Sequence, residues 1–152
     1  MKPIDIDNYE LEISSDCNAE CPLCQRTHMK MPLRGNNNIS LADLKNIFYK
    51  DEYIDGKEFK LCGVLGDPIL NSECIEICDF LSSKGARKIA LSTNGGMNTP
   101  EWWTRLANIQ NVQVDFCVDG FENTNHIYRV NVKWPTLPVS YTHLTLPTSS
   151  WV

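Results

Sequence analysis

Cys17-Asn18-Ala19-Glu20-Cys21-Pro22-Leu23-Cys24 sets three thiols in one short run with the spacing C-x3-C-x2-C. Thiolates at that density hold a soft metal centre rather than pack a core. A structural zinc or a fully ligated iron–sulfur cluster takes four protein ligands. Three thiols leave one metal position open for something else. Two readings follow. One is a zinc knuckle completed by His28 or another cysteine. The other is a cubane iron–sulfur cluster, three of whose corners a single short loop can wrap.

Further polar groups recur downstream, each after an apolar run. Gly63-Val64-Leu65-Gly66-Asp67-Pro68 offers exposed backbone for close approach to a ligand, although Gly-Asp-Pro is also an ordinary turn. Ser92-Thr93-Asn94-Gly95 offers hydroxyl and amide groups, or an Asn-Gly turn. Asp115 and Asp119 are carboxylates that face a site or cap the next element. Arg129 is suited to bidentate pairing with a carboxylate, or is solvated. Cys74 and Cys78 repeat the C-x3-C spacing but share a helical face with Ile77 and Leu81, which makes them core thiols. Cys62 reads as core within a strand, and Cys117 faces inward with Asp115 and Asp119. Trp102 and Trp103 open an amphipathic helix, where packing is their default role.

The elements that must position these groups follow from periodicity. Tyr9–Ile13 alternates with period two, a strand that leads directly into the thiol loop. His28 to Asn38, with Pro32 and Gly35, reads as a loop. Ser40 and Asp43 form a capping-box pattern that starts a helix over Ser40–Tyr49. Phe59–Leu65 is a second strand and Asn71–Ser83 a second helix, with Gly85 just past its end. Lys88–Thr93 is a third strand, Thr99 caps a helix through Asn108, and Val112–Val118 alternates as a fourth strand. Strand followed by helix, repeated, predicts an α/β fold with a parallel sheet and right-handed crossovers. Sites in such folds collect at the carboxyl ends of the strands.

The chain has 152 residues, 42% hydrophobic content and a net charge of −5. That is enough for one modest domain, and the absence of a Lys/Arg cluster argues against a nucleic-acid partner. No apolar run reaches membrane-spanning length, and Met1–Asp7 lacks a signal-peptide core, so the expected location is cytoplasmic, with no membrane partner. Seven cysteines in a reducing compartment favour metal binding or buried thiols over disulfides.

Taken in order, the thiol loop and the three strand-end segments resemble the radical S-adenosylmethionine (radical SAM) enzymes, over about Tyr9 to Trp134. The resemblance implies a partial (β/α)6 barrel. In it Cys17, Cys21 and Cys24 hold a 4Fe–4S cluster whose fourth iron binds the methionine part of S-adenosyl-L-methionine. It further implies cofactor contacts from Gly63, Gly66 and Asp67, from Ser92, Thr93 and Asn94, and from Asp119. The chain departs from the family at Leu23, where an aromatic residue is common. It departs again at Asp67, where glutamate is more common, and in the wider spacing of the glycines. The implied chemistry is electron delivery by reduced flavodoxin or ferredoxin, and cleavage of the cofactor to methionine and a 5′-deoxyadenosyl radical. That radical abstracts hydrogen from a substrate the sequence does not identify. His126-Ile127-Tyr128-Arg129 resembles a segment of the peptide-modifying members, which points to a peptide. The other class of reading is a non-catalytic structural or electron-transfer module holding zinc or iron–sulfur.

Pro138-Val139-Ser140-Tyr141-Thr142-His143-Leu144-Thr145-Leu146-Pro147-Thr148 follows neither helical nor strand patterning, and matches the translation of a transposase-type sequencing adaptor. The expectation is a core domain over 1–137, incomplete after about four strands, and a non-native tail over 138–152. An incomplete barrel exposes a sheet edge and is prone to aggregate.

Overall fold

A computed structural model describes residues 6–32 and 37–145. Four strands, β1 (Asn8–Leu11), β2 (Glu58–Leu61), β3 (Lys88–Thr93) and β4 (Val112–Phe116), form one sheet in the order β1-β2-β3-β4. All three pairings are parallel, with Leu11 opposite Leu61, Leu61 opposite Leu91, and Leu91 opposite Val114. The helices are α1 (Gln25–His28), α2 (Leu41–Ile47), α3 (Cys74–Ser83), α4 (Pro100–Ala107), α5 (Asn125–Tyr128) and α6 (Thr136–Thr145). The expected α/β class and parallel sheet are therefore present, as a partial barrel wall. No helix among the described residues is long and apolar enough to cross a membrane.

Period-two alternation divides the sheet into unlike faces. On one side Phe59, Leu61, Ile89 and Leu91 are buried with Ile13, Leu44, Ile77, Leu81, Trp103 and Leu106. Tyr9, Phe48 and Phe59 meet at ring separations of 5.1–5.4 Å, in stacked and edge geometries. Each fully buried large apolar side chain contributes about 1.5–3 kcal/mol. The opposite face is polar: Asn8, Glu10, Glu58, Lys60, Lys88 and Asp115 line an open groove along it. Cys74 and Cys78 are completely buried in the core, as their helical spacing predicts.

Local chemistry starts and stops the elements. Ser40 and Asp43 form the expected capping box at α2, and Thr99 accepts the backbone N–H of Trp102 at α4. Gly85 ends α3 with φ of +86°, a conformation that favours glycine.

Several boundaries differ from expectation. β1 ends at Leu11, because Ser14 already pairs with Asn38 in an isolated antiparallel bridge. β2 ends at Leu61, because the backbone of Gly63 and Gly66 folds back on itself. Consequently Cys62 lies beyond the strand and is half-buried, not core. A short 3-10 turn over Pro68–Leu70 delays α3 to Cys74. A one-turn helix, α1, leads into the expected His28–Asn38 loop and shares only His28 with it; Gly35 lies outside the described residues.

The tail also differs. Pro138 through Thr145 is helical in α6, with Leu137 and Ser140 buried and the Ser140 hydroxyl donating to the Gly95 carbonyl at 3.0 Å. Tyr141 meets Phe116 edge-on. Packing of Leu137, Ser140 and Tyr141 against Gly95 and Phe116 supports a helix where the sequence pattern alone shows none. Leu146–Thr148 lie outside the described residues.

Asn71 joins the frame at its centre. Its side-chain amide donates to the carbonyls of Ile13 at 2.7 Å and Ile39 at 2.9 Å, and its oxygen accepts from Glu73 N–H at 2.8 Å. Replacing it removes these partners from the Ile39 carbonyl and the Glu73 N–H, at about 1–3 kcal/mol each where buried, while the Ile13 carbonyl keeps its bond from Ile39 N–H at 3.0 Å. We expect Asn71→Ala to lower stability by about 2–4 kcal/mol, read as a fall in the urea midpoint with little change in slope.

Candidate metal and cofactor site

The thiol loop leaves the carboxyl end of β1 and is held from two sides. Toward the C-terminal segment, Glu20 N–H donates to the Val130 carbonyl at 3.1 Å and Asn131 donates to the Glu20 carboxylate at 2.9 Å. Ala19 and Cys21 are buried there against Val132 and Leu137. Toward the sheet, Asp67 N–H donates to the Asp16 carbonyl at 2.7 Å, just ahead of Cys17.

Cys17, Cys21 and Cys24 then face a cavity of about 270 Å³, shared with Gly63, Gly66, Asp67, Ser92, Thr93 and Asn94. The structure thus brings together every expected metal and cofactor contact except Asp119, and Asp115 lies apart, in the groove along the polar face of the sheet. That carboxylate pairs instead with Arg129, whose guanidinium also reaches Cys21 Sγ at 3.6 Å. Cys117 lines the cavity, as its inward register predicts, and so does Cys62. His126 is exposed on α5 and does not line it.

Gly66 is required by its neighbours: a Cβ there would lie 1.9 Å from the Ser14 carbonyl oxygen. The turn is therefore pressed against the strand-end that launches the thiol loop. Asp67, fully enclosed, accepts from Asn94 N–H at 2.8 Å and Ile69 N–H at 3.3 Å, and from the Thr93 hydroxyl. Thr93 in turn accepts from Gly95 N–H at 3.0 Å. The Asn94 amide donates to Asn18 Oδ1 at 2.9 Å and lies 3.8 Å from Cys17 Sγ. Asp67, Thr93 and Asn94 therefore brace the loops against one another as well as lining the cavity.

Sequence reasoning missed two participants. Asn18 sits inside the thiol loop and pairs with Asn94. Arg26, two residues past Cys24, is buried and also lines the cavity. An arginine so close to a thiol group was the available signal.

Burial pushes the Cys17 thiol up to about 11, opposed by the Ala19 N–H and the Arg26 charge. Burial, with the Glu10 carboxylate that its S–H contacts at 3.0 Å, pushes Cys62 to about 11. Both shifts favour the protonated thiol; at Cys17 a bound metal would displace that proton, since a coordinating thiol is deprotonated outright.

All seven cysteines are free thiols. Among the described residues no three His, Cys, Asp or Glu side chains converge as ligands of a single metal ion. A cubane asks for something different, three thiols on separate corners of one cavity, and the soft donor set lining this cavity fits that demand.

Burial raises the Asp67 carboxyl above its ordinary value of 3.8, opposed by the hydrogen bonds it accepts. The folded state therefore holds this proton more tightly than the unfolded chain. Its contribution to stability is complete below the ordinary value and is lost as pH rises through the raised one. We expect the stability difference, wild type minus Asp67→Asn, to fall over that rise, measured by urea unfolding across a pH series.

No family model matches the chain. It is 26% identical over 139 residues to a probable GTP 3′,8-cyclase of Methanothermobacter marburgensis, covering 91% of this chain and 38% of that protein. It is 26% identical over 109 residues to the GTP 3′,8-cyclase of Mannheimia succiniciproducens, covering 69% and 32%. A third match, 26% over 88 residues, is a probable GTP 3′,8-cyclase of Methanothermobacter thermautotrophicus, covering 58% and 27%. The chain thus spans 38% or less of each relative's length. In motif order, in its parallel sheet and in these similarities the chain resembles the N-terminal part of the radical SAM core domain, whose members use a 4Fe–4S cluster and S-adenosylmethionine.

Proposed function

We propose that this chain is the cofactor-binding front of an enzyme that starts radical chemistry at Cys17, Cys21 and Cys24. The observation that supports it is the meeting of these thiols with the Gly63–Asp67 turn and Ser92–Asn94 around one cavity at the carboxyl edge of a parallel sheet. When bound, the cluster and S-adenosylmethionine supply a one-electron cleavage that yields a carbon radical able to take hydrogen from substrate.

The protein's own part is positional. Cys17, Cys21 and Cys24 would hold three corners of the cluster in the cavity they share with the glycine turn. Backbone of Gly63 and Gly66, with Ser92, would offer polar contacts to the methionine end of the cofactor. Asp67 and Asn94 fix the two turns that carry those contacts. Asp119 acts one step back, by holding Arg129 at the cavity wall. Reduced flavodoxin or ferredoxin is the electron donor in this reading, and the setting is cytoplasmic.

For the substrate, the similarity to GTP 3′,8-cyclases favours a nucleotide, GTP, over the peptide suggested by His126–Arg129; the exposure of His126 removes one support from the peptide reading. The tail over 138–152 is proposed to be non-native, with the natural frame diverging near Leu137. Re-reading the source DNA across the codons for Trp134 to Pro138 tests this, and a frame that continues unaltered to Val152 contradicts it.

Anaerobic reconstitution with iron and sulfide tests the functional reading. About four irons per chain are expected, lost in Cys17→Ala, Cys21→Ala or Cys24→Ala, together with a reduced EPR signal that changes on adding S-adenosylmethionine. Tight zinc with no response to the cofactor would sink the proposal and favour a structural metal module. With a cluster in place, GTP should raise 5′-deoxyadenosine formation; no response to GTP contradicts the nucleotide reading alone.

A further inference from the structure

Arg26 stands apart from the other described arginines. Arg87, Arg105 and Arg129 are each paired with a carboxylate, of Glu58, Glu76 and Asp119, and their side chains are 60%, 61% and 21% exposed. Arg26 is 3% exposed, and no carboxylate pairs with it among the described residues. Its guanidinium donates instead to main-chain carbonyls of three segments: Ser15 ahead of the thiol loop, Leu65 in the glycine turn at 3.1 Å, and Pro32. Its Nε–H is buried with no partner.

Burying an unpaired cation is unfavourable by several kcal/mol, and neutral carbonyl dipoles offset only part of that. Such a charge persists where something negative is meant to sit beside it. The cavity that Arg26 lines also holds Cys17, Cys21 and Cys24. Three thiolates around a 4Fe–4S core leave the assembly anionic, and each one-electron reduction adds a further negative charge. Cluster potential responds to net charge and to burial.

We propose that Arg26 is the resident counterion of the thiol site. As a positioning residue its fork ties the thiol loop to the glycine turn, and its fixed charge raises the reduction potential of the cluster. The inference rests on the cluster reading above. Arg129 is the weaker candidate for this role, because Asp119 already neutralises it.

The test compares wild type, Arg26→Gln and Arg26→Lys, each reconstituted anaerobically and titrated electrochemically with EPR detection, without S-adenosylmethionine. Arg26→Gln keeps hydrogen bonding but loses the charge, and its cluster should reduce at a more negative potential. Arg26→Lys keeps the charge but loses the fork, and its potential should stay near wild type. Both variants should melt lower as apo-proteins, since both lose the three-way clamp. A merely structural role would move the melting temperature and leave the potential alone.

The proposal is overturned if Arg26→Gln reduces at the wild-type potential, or if Arg26→Lys shifts as far as Arg26→Gln. Should Arg26→Gln fail to load iron while Arg26→Lys loads it, the charge is required and the proposal stands. Should neither load iron, the fork alone matters and the counterion role is refuted. Wild type that takes up zinc and no cluster marks the different failure, that of the cluster reading itself.

Discussion

The loops at the carboxyl edge of the sheet are assembled around one enclosed carboxylate. Asp67 gives its N–H to the Asp16 carbonyl, accepts Ile69 N–H within its own turn, and accepts Asn94 N–H from the turn after β3. Three segments far apart in sequence are thereby fixed to one residue. Charge-assisted hydrogen bonds of this kind are about twice as strong as neutral ones, and burial sharpens them. The same burial makes the free charge unfavourable, which is why the carboxyl is raised despite its donors. The residue is stabilised by its partners or not at all, so the thiol loop, the glycine turn and the Ser92–Asn94 turn stand or fall together.

Around that junction the electrostatics are arranged in layers. Thiols line the wall together with Arg26, and the Arg129–Asp119 pair lies beside Cys21. The half-buried Cys17 thiol is held toward its protonated form by desolvation. The polar face of the sheet continues away from this edge through Glu10, Lys60 and Asp115. The apolar face carries the helices. A core on one side and charge on the other is what a barrel wall requires, and it leaves the chemistry at the rim rather than in the core.

Much of this was legible in the sequence. Parallel order, β3, the caps at Ser40 and Thr99 and the thiol loop follow from period, spacing and capping chemistry, all of which are local. What was not legible depends on contact between distant segments. Cys62 was assigned to the core because its strand was extended by period alone; the turn that removes it is enforced by Ser14, packed against Gly66. Asp67, Thr93 and Asn94 were assigned outward to a cofactor, and much of their bonding is to one another and to the loops. The nearness of Arg26 to the thiol run is visible in the sequence, but its three acceptors are backbone carbonyls, which no pattern of side chains shows. Helix α6 was unexpected for a similar reason, its support coming from α4, Gly95 and Phe116.

The central claim is that three thiols hold a cluster whose remaining iron is open to S-adenosylmethionine beside the glycine turn. Electron–nuclear double resonance on the reduced, reconstituted protein, with the cofactor isotope-labelled at its methionine amino and carboxylate groups, tests this most directly. The account predicts hyperfine coupling between the cluster spin and both labelled groups, showing direct ligation of the open iron. A cluster signal with no coupling to either label would mean that the fourth position is closed, and would contradict the account.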